Sequence, residues 1–137
     1  MPRVYLDSCI VIYMVEGTKE IKNALCIALN QASETPYRIF VSDLTRLECR
    51  VYPLRKKNRE LLANYDSFFT LSELTMLPLS TEVIDLATEL RAEYRIKTPD
   101  AIHLASAIIG GCAEFWTNDN RIAAVASKRI QVIVPIK

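Results

Sequence analysis

Apolar residues in this chain occur in two patterns that alternate along its length. Short apolar runs bounded by polar residues alternate with stretches that follow the i, i+3, i+4 spacing of an amphipathic helix, as in residues 19–32. Such runs predict buried strands and such spacings predict helices. Strands separated by helices imply right-handed crossovers, so we predict a three-layer αβα sandwich with a mostly parallel central sheet of about five strands. The predicted strands are residues 3–6, 38–41, 76–79, 114–117 and 131–135.

Capping and breaking residues set the predicted ends of the helices. Gly17 is expected to end the first helix, and Pro53 to stop a helix that runs through Tyr52. Thr98 is predicted as an N-cap that places Pro99 at the first helical position.

Composition limits the class of protein. The 137 residues fit a single domain, 1–137, and half of them are apolar, 24% are charged and three are glycine, which is typical of a compact fold. The apolar stretches are shorter than the ~18 residues that would suggest a membrane span, and Asp7 interrupts the N-terminal apolar run before a signal peptide could form. The four cysteines form no CxxC pair, so we expect free, mostly buried thiols in a cytoplasmic protein.

Basic residues are unevenly distributed despite the net charge of +1. Within residues 46–59 they face a single acid, Glu48. Two interpretations stay open: the cluster binds an anion, either RNA phosphates or an acidic partner segment, or it is a solvated helix face. Its members are Arg46, Arg50, Arg55, Lys56, Lys57 and Arg59.

Four acids occupy positions where a parallel sheet collects ligands. Asp7 and Asp119 follow predicted strands, Asp100 lies in the first turn of a helix, and Glu48 belongs to the helix after the second strand. Ligands of such sheets bind beyond the carboxyl ends of the strands, so one sheet edge can hold all four side chains.

A metal ion would make that arrangement tolerable. Like charges a few ångströms apart cannot all ionise without a counter-ion, and hard oxygen ligands select Mg²⁺ or Mn²⁺. Taken singly, three of the acids have ordinary interpretations as turn or first-turn residues. Glu48 differs, because Leu44, Leu47 and Val51 are predicted to mark the buried face of its helix and Glu48 lies at the edge of that face, where a carboxylate needs a partner.

Single residues bear on alternative functions. His103, three residues after Asp100, either reaches the rim of the site or forms a local hydrogen bond in its helix, and we favour the local bond. A phosphatase of the haloacid dehalogenase type needs a second aspartate two positions after the first, where this chain has Cys9. A phospho-receiver domain needs a pair of acids near the end of the first strand, which this chain does not have. A non-enzymatic module that binds RNA or a protein remains an alternative.

Four motifs together resemble the PIN domain family, and in particular the VapC-type toxins of toxin–antitoxin pairs. The third residue of the terminal T-N-D triplet is Asp119, preceded by Thr117 and Asn118, and Cys9 stands where relatives often have a small polar residue. The motifs are LDSC, SDLTRLE, KTPDAIHLASAI and FWTND.

The resemblance implies a Mg²⁺- or Mn²⁺-dependent endoribonuclease that cleaves single-stranded or structured RNA by two-metal hydrolysis, as the toxin of a type II pair. It further implies a VapB-like antitoxin docked beside residues 50–59 and the first helices, and a homodimer. A non-catalytic PIN module with a structural metal and a housekeeping PIN nuclease are the alternatives. The implied metal ligands are Asp7 and Asp100, with Glu48 and Asp119 holding a second ion or water, and Ser8 and Thr117 orienting carboxylates.

Overall fold

A parallel sheet forms the centre of the molecule. The structure is a computed structural model that describes residues 2–31 and 37–136, without the side chains of residues 30 and 31. Within these residues the sheet has five strands in the spatial order β3-β2-β1-β4-β5, and every neighbouring pair is parallel. The strands are β1 (Arg3–Leu6), β2 (Arg38–Ser42), β3 (Leu74–Leu77), β4 (Glu114–Trp116) and β5 (Gln131–Ile133).

Seven helices in the described part of the chain connect and cover these strands. The predicted αβα fold with about five strands is therefore confirmed. In the same residues, no helix combines the length and the apolar character that crossing a bilayer requires. The helices are α1 (Ser8–Glu16), α2 (Lys19–Gln31), α3 (Asp43–Arg55), α4 (Arg59–Phe69), α5 (Thr81–Tyr94), α6 (Thr98–Ile109) and α7 (Asn120–Ala126).

Strand β1 is buried on both of its faces. Successive side chains of a strand point to opposite sides of the sheet. Tyr5 accordingly packs in one apolar cluster with residues of α5 and α6, whereas Val4 and Leu6 pack in a second cluster with residues of α1 and α4. The carboxyl end of β1 therefore opens at the middle of the sheet rather than at its side.

The order of the strands creates a crevice beside that end. The chain leaves β1 toward β2 on one side, and β4 pairs with β1 on the other, with Leu6 opposite Trp116. The amide of Asp7 donates to the carbonyl of Trp116 over 2.9 Å, which continues the pairing past the strands. Crevices at such switch points are where open α/β sheets bind ligands.

The prediction that Pro53 stops a helix is wrong. Pro53 is buried inside α3, which continues to Arg55. A proline inside a helix removes one hydrogen bond and crowds the carbonyl four residues earlier, but the residues after it can still bond to earlier carbonyls. The amide of Lys56 still bonds to the carbonyl of Tyr52 over 3.0 Å, and the helix ends just before Lys57, which has φ 55°.

Several smaller boundaries also differ from prediction, including those of β2, β4 and β5 by one or two residues. The N-cap of α6 is Lys97 rather than Thr98, because the backbone of Lys97 is extended and its carbonyl accepts the amide of Ala101 over 3.0 Å. β3 ends two residues earlier than predicted, because Pro78 offers no N–H to a neighbouring strand. The predicted end of the second helix, Ala32, lies outside the described residues.

The cysteines are free, as predicted, but not all are buried. Cys49 is buried and Cys9 and Cys112 are partly buried, whereas Cys26 is exposed, so the expectation of burial is wrong there. Cys26 lies on α2, which contacts the rest of the molecule mainly through α1 and so leaves one face in solvent. Burial raises the pKa of the Cys49 thiol to about 12, which keeps it protonated.

Candidate active site

Asp7 lies immediately beyond β1 and is 7% exposed. Its Oδ1 accepts the backbone amide of Ser8 over 2.9 Å, which caps α1. Its Oδ2 accepts the hydroxyl of Thr117 over 2.8 Å. The orientation of this carboxylate is therefore fixed by the first residue of α1 and by the turn after β4.

Thr117 joins two of the four acids. Besides donating to Asp7, its Oγ1 accepts the backbone amide of Asp119 over 3.1 Å. The side chain of Asp119 caps α7 by accepting the amide of Arg121 over 2.9 Å. The hydroxyl thus holds the turn after β4 at a set distance from the turn after β1.

Glu48 lies on α3, but the buried face of this helix is not the predicted one. Leu47 is 60% exposed and Val51 is 41% exposed. The buried positions are instead Thr45, Cys49 and Pro53. Of these, Thr45 faces buried polar groups, whereas Cys49 packs in the same apolar cluster as Val4 and Leu6. The prediction for Leu47 and Val51 is therefore wrong.

Glu48 nevertheless has the partners that a partly buried carboxylate requires. Its Oε1 accepts the hydroxyl of Ser8 over 2.7 Å and lies 2.5 Å from Nε2 of His103. Burial by itself raises the pKa of the Glu48 carboxyl, but the hydrogen bond and charge of His103, with the bond from Ser8, outweigh it and leave the pKa below its usual range. Glu48 is therefore held in its ionised form.

His103 connects the site to the core. Its side chain is 2% exposed, and its partners are not local, contrary to the interpretation that we favoured from the sequence. Nδ1 lies 2.7 Å from the hydroxyl of Tyr5, and Nε2 lies 3.8 Å from Oδ1 of Asp7. The Tyr5 hydroxyl in turn donates to Oγ of Ser42 over 2.9 Å. A buried chain of polar groups thus runs from the end of β2 to the carboxylate of Glu48.

Sequence reasoning missed the inner part of this chain. Tyr5 and Ser42 are both fully buried, and burial raises the pKa of the Tyr5 hydroxyl, so it remains a protonated donor. A tyrosine within the otherwise aliphatic run VYL was the available signal, because a buried phenol needs a hydrogen-bond partner.

Asp100 lies in the first turn of α6 and differs from the other acids. Within the described part of the chain, no donor satisfies its carboxylate. Burial raises the pKa of Asp100, and the negative charges of Asp7, Asp119 and Glu48 raise it further, against a smaller opposing effect of His103. All four predicted acids are therefore close enough to act on one another.

The chemistry of this cluster fits a divalent cation. In residues 2–29 and 37–136, no three histidine, cysteine or acidic side chains converge closely enough to form a finished metal site. The donors are carboxylate oxygens, which suit Mg²⁺ and Mn²⁺. The mutual repulsion expressed at Asp100 is the condition that a bound cation relieves.

Asn118 and Cys9 lie next to the acids and form hydrogen bonds with the surrounding backbone. Both polar atoms of the Asn118 amide bond to the backbone of Ile136, over 3.0 and 3.2 Å, so this side chain anchors the C-terminal segment rather than a carboxylate. The backbone amide of Asn118 donates to Sγ of Cys9 over 3.4 Å. Burial and the charge of Asp7 raise the pKa of the Cys9 thiol, which keeps it neutral beside the acids.

The basic cluster lies apart from the acids. An open groove of about 380 Å³ on α3 is lined by Asp43, Arg46, Leu47, Arg50, Val51 and Leu54. Nε of Arg50 lies 2.9 Å from Oδ1 of Asp66 on α4. The other four members, at the end of α3 and the start of α4, are exposed: Arg55, Lys56, Lys57 and Arg59. In the described residues, none of the six basic residues forms an ion pair with any of the four acids.

Solved structures with the same fold include components of toxin–antitoxin complexes. A crystal structure of VapBC2 from Rickettsia felis, bound to promoter DNA, aligns with a TM-score of 0.74 at 18% identity, covering 96% of this chain and 97% of that one. A toxin–antitoxin complex from Klebsiella pneumoniae aligns with a TM-score of 0.72 at 25% identity, covering 98% of both chains. VapC20 from Mycobacterium tuberculosis, a toxin that cleaves the sarcin–ricin loop, aligns with a TM-score of 0.69 at 12% identity, covering 88% and 93%.

The sequence itself matches one family over most of its length. None of the curated proteins matches the chain. Residues 4–128, which include all four acids, match the PIN domain. The chain therefore belongs to the PIN domain family.

Proposed function

We propose that this protein is a metal-dependent endoribonuclease and the toxin of a type II toxin–antitoxin pair. The observation that carries the proposal is the cluster of four carboxylates near the carboxyl ends of β1 and β4, in which burial and the charges of the other three acids raise the pKa of Asp100. Membership of the PIN domain family and the fold shared with VapBC components support it. One parallel sheet covered by two apolar clusters also supports the interpretation of residues 1–137 as one domain.

The four carboxylates would hold the cation. In this proposal Asp7 and Asp100 are the main ligands, and Glu48 and Asp119 hold a second ion or orient water. When bound, Mg²⁺ or Mn²⁺ supplies neutralisation of charge on the phosphate oxygens and lowers the pKa of bound water.

The side chains around the acids keep them in place. Thr117 and Ser8 donate to Asp7 and Glu48 respectively, which restricts the rotamers of both carboxylates. Because His103 and Ser8 both contact Oε1 of Glu48, Oε2 remains available to accept a hydrogen bond from water. We propose that Glu48 thereby orients the attacking water, and that the surrounding polar chain holds it ionised.

Cleavage of single-stranded RNA by the purified protein, with Mg²⁺, with Mn²⁺ and with EDTA, tests the activity. We expect cleavage only with a metal ion and its loss in Asp7→Asn. Asp85→Asn, which makes the same change at an exposed position of α5, serves as the matched control and should cleave normally. RNA binding without cleavage under every condition would favour the non-catalytic module.

The proposed partner is an antitoxin segment that is acidic and amphipathic. The groove on α3 supports this, because Leu47, Val51 and Leu54 offer an apolar stripe flanked by Arg46 and Arg50. Binding of the protein encoded by a short adjacent reading frame tests it. Leu47→Asp should weaken that binding at least about tenfold, as expected for a central apolar contact, whereas Ile84→Asp on α5 should not.

Growth of cells that express the protein separates a toxin from a housekeeping nuclease. We expect arrest on induction and relief by the adjacent protein, whereas normal growth with active enzyme present would favour the housekeeping role. Homodimer formation and a cytoplasmic location belong to the same proposal; the four free cysteines fit a reducing compartment. Sedimentation of the purified protein tests the dimer.

A further inference from the structure

A small basic pocket lies directly beside Asp100. It has a volume of about 170 Å³ and is lined by Arg95, Ile96, Lys97, Asp100, Arg121 and Ile122. Three of these six side chains carry a positive charge. The pocket is distinct from the basic cluster of residues 46–59, which lies on α3 and α4.

The three cations come from two different turns of the fold. Arg95 and Lys97 belong to the loop between α5 and α6, and Arg121 lies in the first turn of α7. The loop is held by a bond from Nε of Arg91 to the carbonyl of Ile96 over 2.9 Å. Arg95 also takes a left-handed backbone conformation, with φ 57°, which few residues other than glycine adopt. The backbone from which Arg95 and Lys97 extend is therefore held in one conformation.

The local electrostatics favour an anion. Helix α6 begins directly after Lys97, so the positive end of its dipole lies beside this loop. Arg121 is 79% exposed and its Nε lies 3.7 Å from Oδ1 of Asp119. An exposed pair of this kind is weak, so the guanidinium can contact an incoming ligand at little cost.

We infer that Arg95, Lys97 and Arg121 bind a phosphate group of the RNA strand next to the phosphate that is cleaved. The inference rests on the proposed function. Arginine recognises phosphate oxygens through two parallel hydrogen bonds, and lysine adds a point charge. A phosphate held here places the next phosphodiester at the Asp100 side of the acidic cluster, where the carboxylates would otherwise repel the strand.

Binding of a single-stranded RNA of about ten nucleotides tests the pocket, in EDTA so that cleavage cannot interfere. We expect Lys97→Gln and Arg121→Gln each to weaken binding about three- to tenfold, and each to reduce the slope of log K against log salt by about 0.7. Lys22→Gln, which removes one exposed positive charge from α2, is the matched control and should change neither quantity by as much. Thermal melts of all three variants check that the fold is intact.

The outcomes separate this inference from the proposed nuclease activity. If the wild-type protein cleaves RNA with Mn²⁺ and the pocket variants bind RNA as the control does, the pocket assignment is overturned while the activity stands. If no metal supports cleavage but the variants still lose affinity and salt dependence, the pocket stands without the activity. Loss of affinity for an acidic peptide, with RNA binding unchanged, would assign the pocket to a protein partner and overturn the inference.

Discussion

The two sides of the acidic cluster differ in how their carboxylates are satisfied. On the α3 side, Glu48 accepts a hydrogen bond from Ser8 and contacts His103, and its pKa is lowered. On the α6 side, the carboxylate of Asp100 is left to the repulsion of its neighbours, and its pKa is raised. On the first side the protein's own hydrogen bonds satisfy the carboxylate, whereas on the second side the carboxylate is left without a hydrogen-bond donor in the described residues.

This difference explains why a cation site can be folded before the cation arrives. A cluster in which all four acids lacked partners would cost stability at neutral pH, because like charges in a partly buried site cannot all ionise freely. The polar chain from Ser42 through Tyr5 and His103 offsets part of that cost at Glu48. The remaining electrostatic cost falls on Asp100, which is a ligand of the proposed cation.

The largest effect is expected from breaking the satisfied side at its centre. His103→Ala should lower the free energy of unfolding by about 3 kcal/mol, because it leaves the Tyr5 hydroxyl and the Glu48 carboxylate without their shared partner and opens a cavity. Urea denaturation of the wild type and the variant measures this. A change within about 0.5 kcal/mol, typical of surface positions, would contradict the structural role.

A milder change at the inner end of the same chain should have a smaller effect. Tyr5→Phe keeps the aromatic packing and removes only the hydroxyl that contacts His103 and Ser42. We expect a loss of about 1 to 2 kcal/mol from the unsatisfied partners. Tyr13→Phe, at a partly buried tyrosine on α1, is the matched control in the same denaturation experiment. An equal loss of unfolding free energy in both variants would contradict a specific role of the Tyr5 hydroxyl in the polar chain.

The lowered pKa of Glu48 predicts a pH-dependent contribution to stability. A carboxyl whose pKa is lowered by folding stabilises the fold above its unfolded pKa of about 4.3, and this contribution is lost as the pH falls through the lower folded value. Glu48→Gln should therefore cost about 1 kcal/mol at pH 7 and nothing in strong acid. A difference from the wild type that stays constant with pH would argue against an ionised Glu48.

The raised pKa of Asp100 predicts the opposite sign and the smallest effect. Its ionised form destabilises the fold as the pH rises above about 4, so Asp100→Asn should be the more stable protein at pH 7 without metal. The gain should stay below about 1 kcal/mol, because solvent screens a half-exposed carboxylate. Added Mn²⁺ should then raise the melting temperature of the wild type more than that of the variant. Asp85→Asn, on the exposed face of α5, should show neither effect.

The strands and helices could be predicted from the sequence because each depends mainly on the pattern of apolar residues within its own segment. Apolar runs and helical spacings located every strand and helix in the described residues to within a few positions. The wrong predictions concern features that depend on contacts with other elements of the fold. The apolar spacing of Leu47 and Val51 indicated a buried face, but α3 turns Thr45 and Cys49 inward instead. Periodicity alone does not show which face of a helix the rest of the fold covers.

The candidate site could be predicted only in part. Asp7 and Asp119 were predicted to lie together because each follows a strand, and the parallel pairing of β1 and β4 brings their two turns side by side. The partners of His103 could not be inferred, since Tyr5 precedes it by 98 positions and only the crossing of α6 over the sheet brings them together. The pocket of Arg95, Lys97 and Arg121 likewise depends on how two loops meet.

Isothermal titration calorimetry with Mn²⁺ tests the central claim most directly, since it measures whether the four carboxylates bind a divalent cation. We expect saturable Mn²⁺ binding by the wild type, loss of that binding in Asp7→Asn and Asp100→Asn, and unchanged binding in Asp85→Asn. Absence of any Mn²⁺ uptake by the folded wild-type protein, or equal uptake by all four proteins, would contradict the account.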